Sequence, residues 1–183
     1  MNHNVTVITP TLGKRPQWLS LVIQDIKNQT VKPAEHIIRV NVNNENSYVS
    51  LNNAIALART EWVAICCDDD RFYPNHLETM LKEASEADLV YSGSKHIGLK
   101  TGTFVETHNP RNIKLYNYIT NPMINKGLWE HFGGYGTKTV DEDHKLYKKI
   151  SQFFTIKGTG KVTWEYRFHA DQDSKNFGGN VGS

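Results

Sequence analysis

Short apolar runs and amphipathic stretches alternate along the first half of the chain. "NVTVIT" (4–9) has the length and composition of a strand, and "EHIIRVNVN" (35–43) is a second, β-branched one. "WVAICC" (62–67) is wholly apolar and stops abruptly at Asp68, and "DLVYSG" (88–93) is the next run of the kind. Between them the period changes. Trp18, Leu19, Val22, Ile23 and Ile26 recur at helical spacing within 17–29, and "SLNNAIALA" (50–58) makes a short helix. "PNHLETMLKEASEA" (74–87) opens on Pro and lines up Leu77, Met80, Leu81 and Ala84 on one face, which predicts a third helix.

Strand–helix alternation of this kind predicts βαβ units, a mainly parallel sheet and helices on both faces. Ligands of such sheets bind beyond the carboxyl ends of the strands, which puts loops 9–16, 43–47 and 68–70 along one crevice. The second half is less regular. "FVETHN" and "IKLYNYI" suggest strands, and "NPMINKGLWEHFGGYG" reads as a loop, a short helix and a glycine turn. "DEDHKLYKKISQ" reads as a helix, and "KVTWEYRFH" (161–169) alternates as a strand does. No internal repeat or linker interrupts the chain, so one domain is expected over 1–175, divided at 93, with 176–183 as a flexible glycine-rich tail.

Composition narrows the field modestly. The 183 residues suffice for one substantial core, and 38% hydrophobic with 22% charged content is ordinary for a globular protein. A net charge of +2 with scattered Lys and Arg argues against a concentrated nucleic-acid-binding face. No apolar run approaches the ~20 residues of a membrane span, and the first residues lack a secretory leader pattern. Cys66 and Cys67 are adjacent in an apolar run, a poor arrangement for a disulfide or a zinc site, and a reducing, cytoplasmic setting is the expectation.

The stretch "AICCDDDRFYPNHLE" (64–78) sets three like charges where a buried strand ends. Alone, such a run also suits a solvated turn. At the ligand end of a sheet, however, carboxylates are partly desolvated and require a counter-ion. A divalent cation carrying a diphosphate would supply one, because hard cations take carboxylate and phosphate oxygens together.

Four ordered motifs resemble the family 2 inverting glycosyltransferases of GT-A fold, over roughly residues 4–170. "VTVITPTLGKRPQWLSLVIQDIKNQT" looks like the opening strand, nucleotide loop and first helix of that family, and "LNNAIALARTEWVAICCDDD" like its Asn-bearing helix running into the metal-binding acids. "DDDRFYPNHLE" matches the acidic motif with its following Pro, and "FGGYGTKTVDEDHKLYKK" is similar to the Gly-Gly turn ahead of the catalytic base. The resemblance implies a Rossmann-like, mainly parallel central sheet flanked by helices. It also implies a nucleotide-binding half (1–93) and a smaller, irregular acceptor and catalytic-base half (94–175).

By the same resemblance Thr9, Pro10 and Thr11 would line the nucleobase, with Arg15 near the ribose or diphosphate and Asn52 bracing the pocket. Asp68 and Asp69 would reach ribose and metal, and Asp70 completes the motif. Which of the three binds a Mn²⁺ or Mg²⁺ ion directly stays open, so all three are candidates. Asp143 matches the catalytic base, with Glu142 beside it, although "DEDH" (141–144) also suits a helix start with acids against the dipole. His169 is a candidate metal ligand, or a strand-end histidine bonded to backbone. The other histidines, His144 among them, show no ligand spacing and read as surface residues.

The chain departs from the family pattern after the second strand, where "RVNVNNENS" offers asparagines in place of base-reading acids. Asn43 can hydrogen-bond a pyrimidine edge but carries no charge, so a UDP-sugar is the expected donor on weaker grounds. An acceptor site would be built from 94–140, whose aromatics Phe104, Tyr116, Tyr118, Trp129 and Tyr135 are mainly core candidates. A glycan, a protein or a modified nucleobase could each be the acceptor. Two other readings stand beside the leading one. A nucleotidyltransferase would need a glycine-rich basic loop, for which "TPTLGKRP" is an imperfect substitute, and a catalytically degenerate binding module would not need Asp143 with an intact acidic triplet.

Overall fold

The computed structural model describes residues 4–41, 45–104, 119–137 and 142–170. Eight strands are present among them: β1 (Val5–Thr11), β2 (Glu35–Val40), β3 (Trp62–Ile65), β4 (Arg71–Phe72), β5 (Leu89–Gly98), β6 (Gly102–Phe104), β7 (Met123–Asn125) and β8 (Ile156–Phe168). Five helices accompany them: α1 (Pro16–Lys27), α2 (Ser47–Leu57), α3 (His76–Glu83), α4 (Lys126–His131) and α5 (Glu142–Ile150). The strands form one sheet in the order β2-β1-β3-β7-β5-β8-β4, with β6 on β5. β1 pairs in parallel with β2 and β3, and β5 with β8. Only β7, inserted antiparallel between β3 and β5, and the short β4 and β6 run the other way. The sheet is therefore mostly parallel, as the alternation of runs predicts.

Period-2 alternation divides the apolar side chains between two cores, one on each face of the sheet. Val63 and Ile65 of β3 join Ile8, Ala54, Ile55, Leu128, Trp129, Tyr147 and Ile150 beneath α2, α4 and α5. Trp62 and Ala64, one residue out of phase, join Val5, Val7, Val22, Ile26, Leu77, Met80 and Trp164 beneath α1 and α3. Each Val, Ile, Leu or Met among them contributes about 1.5–3 kcal/mol by leaving water, which fixes the register of the strands.

The structure differs from the sequence expectations chiefly in length. β5 and β8 are longer than their apolar runs and pair along most of their extent, with a bulge near Gly93. Segment 121–125, expected as loop, supplies β7, three residues too few for periodicity to reveal. His76, expected at the surface, is fully buried. It stacks on Phe72 with ring centroids 3.7 Å apart, and its Nδ1 lies 2.7 Å from the Thr163 hydroxyl. Tyr116, Tyr118, the side chain of Phe104 and the expected strands "FVETHN" and "IKLYNYI" fall largely outside the described residues. No helix among the described residues is long and apolar enough to cross a membrane.

Candidate active site

β3 delivers the acidic triplet to the end of the sheet, and each aspartate meets a different environment there. Asp68 is 2% exposed; it accepts from the Thr11 hydroxyl at the end of β1 and from Arg15 Nη2 at 2.9 Å. Asp69 is half-buried and faces Arg15 Nη1 at 3.3 Å and His169 Nε2 at 2.9 Å. Asp70 is 4% exposed and accepts from Asn121 Nδ2 at 2.7 Å and from the Arg167 backbone N–H at 3.2 Å. Burial pushes Asp70 well above the usual carboxylate range, the Asp69 charge adds to this, and the Asn121 and Arg167 bonds oppose it. Asp68 is raised too, again by burial, in spite of Thr11 and Arg15. The cluster holds more negative charge than its burial tolerates, which favours a cation.

Several neighbours fix this loop. Gln29, at the end of α1, is buried, donates to the Tyr73 carbonyl and accepts from Leu77 N–H at 2.9 Å. It thus ties α1 to the start of α3, just past the acids. Arg167 Nε donates to the Asp69 carbonyl at 3.0 Å. The Arg15 and Arg167 guanidinium groups both lie over the Trp18 ring, 5.6 and 5.0 Å from its centroid, and His169 meets the ring edge-on at 4.8 Å. One Cys67, Asp69 and Asp70 ligand atom each lie within 4.8 Å of one another. Two hard carboxylates with an imidazole alongside fit Mn²⁺ or Mg²⁺; the Cys67 thiol, pushed well up by burial, is the misfit in that set.

The second group of acids is organised around the Gly-Gly turn. Gly133 and Gly134 both adopt left-handed φ, +76° and +74°, and a Cβ on Gly134 would lie 2.7 Å from the Trp129 ring. Asn52 of α2 holds the turn reciprocally, donating to the Tyr135 carbonyl at 2.8 Å and accepting from Tyr135 N–H at 3.0 Å. Asp143, in the first turn of α5, accepts a 2.9 Å bond from the Tyr48 phenol of α2. Burial and the Asp143 charge push the Tyr48 phenol far above its usual range, so it stays a donor. Glu142 pairs with Lys145, and its carboxylate lies against Gly136, where a Cβ would come within 1.9 Å.

The remaining expected residues fall as follows. Thr11, Arg15, Asp68, Asp69, Asp70 and His169 come together. Thr9 is fully buried and its hydroxyl meets His36 Nε2 at 2.9 Å, while Pro10 is half-buried beside it. Asn43 lies outside the described residues. Asn121, Arg167 and Tyr48 escaped the sequence reading, whereas Gln29 belongs to the Gln-Thr pair that ends the first-helix motif. Asn121 adopts a left-handed φ of +48°, which its Asn-Pro context hints at, and Arg167, on β8, precedes His169 by two positions at the end of the strand.

A family model described as glycosyl transferase family 2 matches residues 22–142. The chain belongs to that family. It is 27% identical over 138 residues to the uncharacterized glycosyltransferase YwdF of Bacillus subtilis, covering 62% of the present chain and 50% of YwdF. Its fold matches residues 1–349 of Staphylococcus aureus TarS in complex with UDP, with a TM-score of 0.73 at 14% identity, over 91% of this chain and 61% of that one. It also matches the mannosyltransferase PcManGT of Pyrobaculum calidifontis, solved with GDP-Man and Mn²⁺, with a TM-score of 0.67 at 16% identity, over 89% and 56% of the two chains. The chain thus spans between half and two thirds of the length of these relatives and has the GT-A fold.

Proposed function

We propose that this glycosyltransferase moves a sugar from a nucleoside diphosphate donor, a UDP-sugar by preference, to an acceptor hydroxyl with inversion at the anomeric carbon. The observation that carries this reading is the division of acids into two groups: a buried, cation-demanding cluster beyond β3 and a separate carboxylate on α5. The nucleotides held by TarS and PcManGT accord with it. Thr11 and Arg15 stand where a nucleotide loop meets the cluster, and Asn52 fixes the turn ahead of α5.

Asp143 acts as general base. Its carboxylate, oriented by Tyr48, takes the proton of the acceptor hydroxyl as the oxygen bonds to the anomeric carbon and the bond to the diphosphate breaks. Asp69 and Asp70, with Asp68 and His169 adjacent, would hold the divalent ion, Mn²⁺ or Mg²⁺. That ion would supply positive charge for the departing diphosphate. Arg15 is placed to add a guanidinium to the same phosphates. Glu142, packed on Gly136, keeps the start of α5 in place.

The test is product stereochemistry. Proton NMR during turnover of an α-linked UDP-sugar with Mn²⁺, with water as acceptor if no other is at hand, should show the β-anomer before mutarotation. Initial release of the α-anomer would rule out the single displacement.

A further inference from the structure

Arg15 makes the closest cationic contacts of the acidic cluster, and it does so with the oxygens a metal ion would need. Nη2 bonds Asp68 Oδ1 at 2.9 Å and Nη1 reaches Asp69 Oδ2 at 3.3 Å. Nη1 also lies 2.9 Å from His169 Nε2, which is itself 2.9 Å from Asp69 Oδ2. That triangle cannot be satisfied with one proton on the imidazole nitrogen. A protonated Nε2 can donate to Asp69 but not accept from Arg15; a bare Nε2 accepts from Arg15 but sets its lone pair against the carboxylate. Arg15 Nε, moreover, is buried and has no hydrogen-bond partner among the described residues. A guanidinium serving only to hold the fold would be expected to use that donor. This one is anchored through its Nη nitrogens alone.

We infer that Arg15 is the resident counter-ion of the cluster and competes with the divalent cation for Asp68 and Asp69, so that a nucleoside diphosphate, by drawing the guanidinium onto its phosphates, raises the cluster's affinity for the metal. The inference rests on the donor reading above and adds an order to it: in the free protein the guanidinium disfavours the metal, and the diphosphate relieves the competition. Linkage makes the coupling reciprocal, so the metal also raises affinity for the diphosphate through Arg15, beyond any direct bridge between the two ligands. Arg15 is the N-cap residue of α1 and its side chain makes no capping bond, so it can turn without disturbing the helix.

Calorimetric titration of Mn²⁺ into the free protein separates this from general electrostatics. Arg15→Gln should bind Mn²⁺ about tenfold more tightly than wild type without nucleotide. Saturating UDP should abolish that advantage. Lys14→Gln removes an equal charge one residue away, on an exposed side chain, and should change the affinity less than about twofold. Arg15→Lys keeps the charge but cannot fork across two carboxylates; it should gain about threefold, and it carries the test if the glutamine variant fails to fold. Equal Mn²⁺ affinity in wild type and Arg15→Gln, or an equal gain in Lys14→Gln, overturns the inference while UDP-dependent Mn²⁺ uptake leaves the donor reading standing. No Mn²⁺ uptake by any of the proteins, with or without UDP, overturns the donor reading and the inference together.

Discussion

The loop beyond β3 and the first turn of α5 hold their carboxylates under opposite physical conditions. Asp68 and Asp70 are almost wholly buried, are bonded to side chains or backbone from β1, β8 and the segment before β7, and are pushed up in pKa by burial. The Asp143 side chain is 26% exposed and is held by the Tyr48 phenol. The first arrangement suits a fixed charge that waits for a cation. The second suits a carboxylate that must meet an incoming hydroxyl and take its proton. Binding and proton transfer are thus assigned to places of different rigidity, and substitutions should separate them.

The largest effect is expected at the base. Asp143→Asn keeps the size of the side chain and should lower nucleoside diphosphate release from a UDP-sugar by about 10²–10⁴-fold, the usual range for a lost general base. Retained turnover would erase the distinction between the two regions.

Asn52→Ala removes both bonds to the Gly-Gly turn and leaves Tyr135 N–H and carbonyl groups without that partner. A loss of about 1–3 kcal/mol in urea denaturation is expected. It should be accompanied by a fall in kcat larger than any change in UDP affinity, because the turn precedes the base and not the acidic cluster.

Acid stability probes the side of the sheet that supports the cluster. Burial pushes the His76 imidazole down to about 3, against 6.5 for an ordinary histidine. Between those values the unfolded chain binds a proton that the folded chain refuses, so stability is complete above pH 6.5 and is lost as the pH falls. At pH 5 the loss is about 2 kcal/mol. Asp68 and Asp70, raised above the ordinary carboxylate value, contribute with the opposite sign: their folded forms hold protons longer, so they add stability as the pH falls toward that value. The pH 7-to-5 change in unfolding free energy should therefore be less unfavourable in His76→Gln than in wild type by about 2 kcal/mol. Equal changes in the two proteins would show that the imidazole is protonated in the fold.

Tyr48→Phe should give the smallest effect. Losing one hydrogen bond to a half-exposed carboxylate is worth about 1 kcal/mol, or roughly a fivefold fall in kcat. The loss should fall on kcat, with the KM for the donor within about twofold of wild type. A loss confined to KM would separate Tyr48 from the base.

Legibility in the sequence followed the same divide. β1 and α1 are readable because their apolar residues repeat with clear periods, and β3 because an unbroken apolar run of strand length ends at Asp68. The acidic triplet stood out because three charges after a buried strand contradict local preference. What could not be read came from distant pairing. β7 has three residues and owes its existence to β3 and β5 on either side. Asn121 meets Asp70 across 51 positions of sequence and Tyr48 meets Asp143 across 95, and neither leaves a local pattern. The placement of His76 was legible in the helical spacing, four positions before Met80 on the apolar face of α3, and runs against the usual exposure of histidine.

The most direct test of the division between binding and proton transfer is calorimetric titration of UDP, with Mn²⁺ present, into Asp143→Asn and Asp69→Asn. The first variant should bind within about threefold of wild type. The second should lose at least about tenfold, through the carboxylate beside Arg15 and His169. Asp143→Asn binding UDP as poorly as Asp69→Asn would contradict the separation of the two acidic groups.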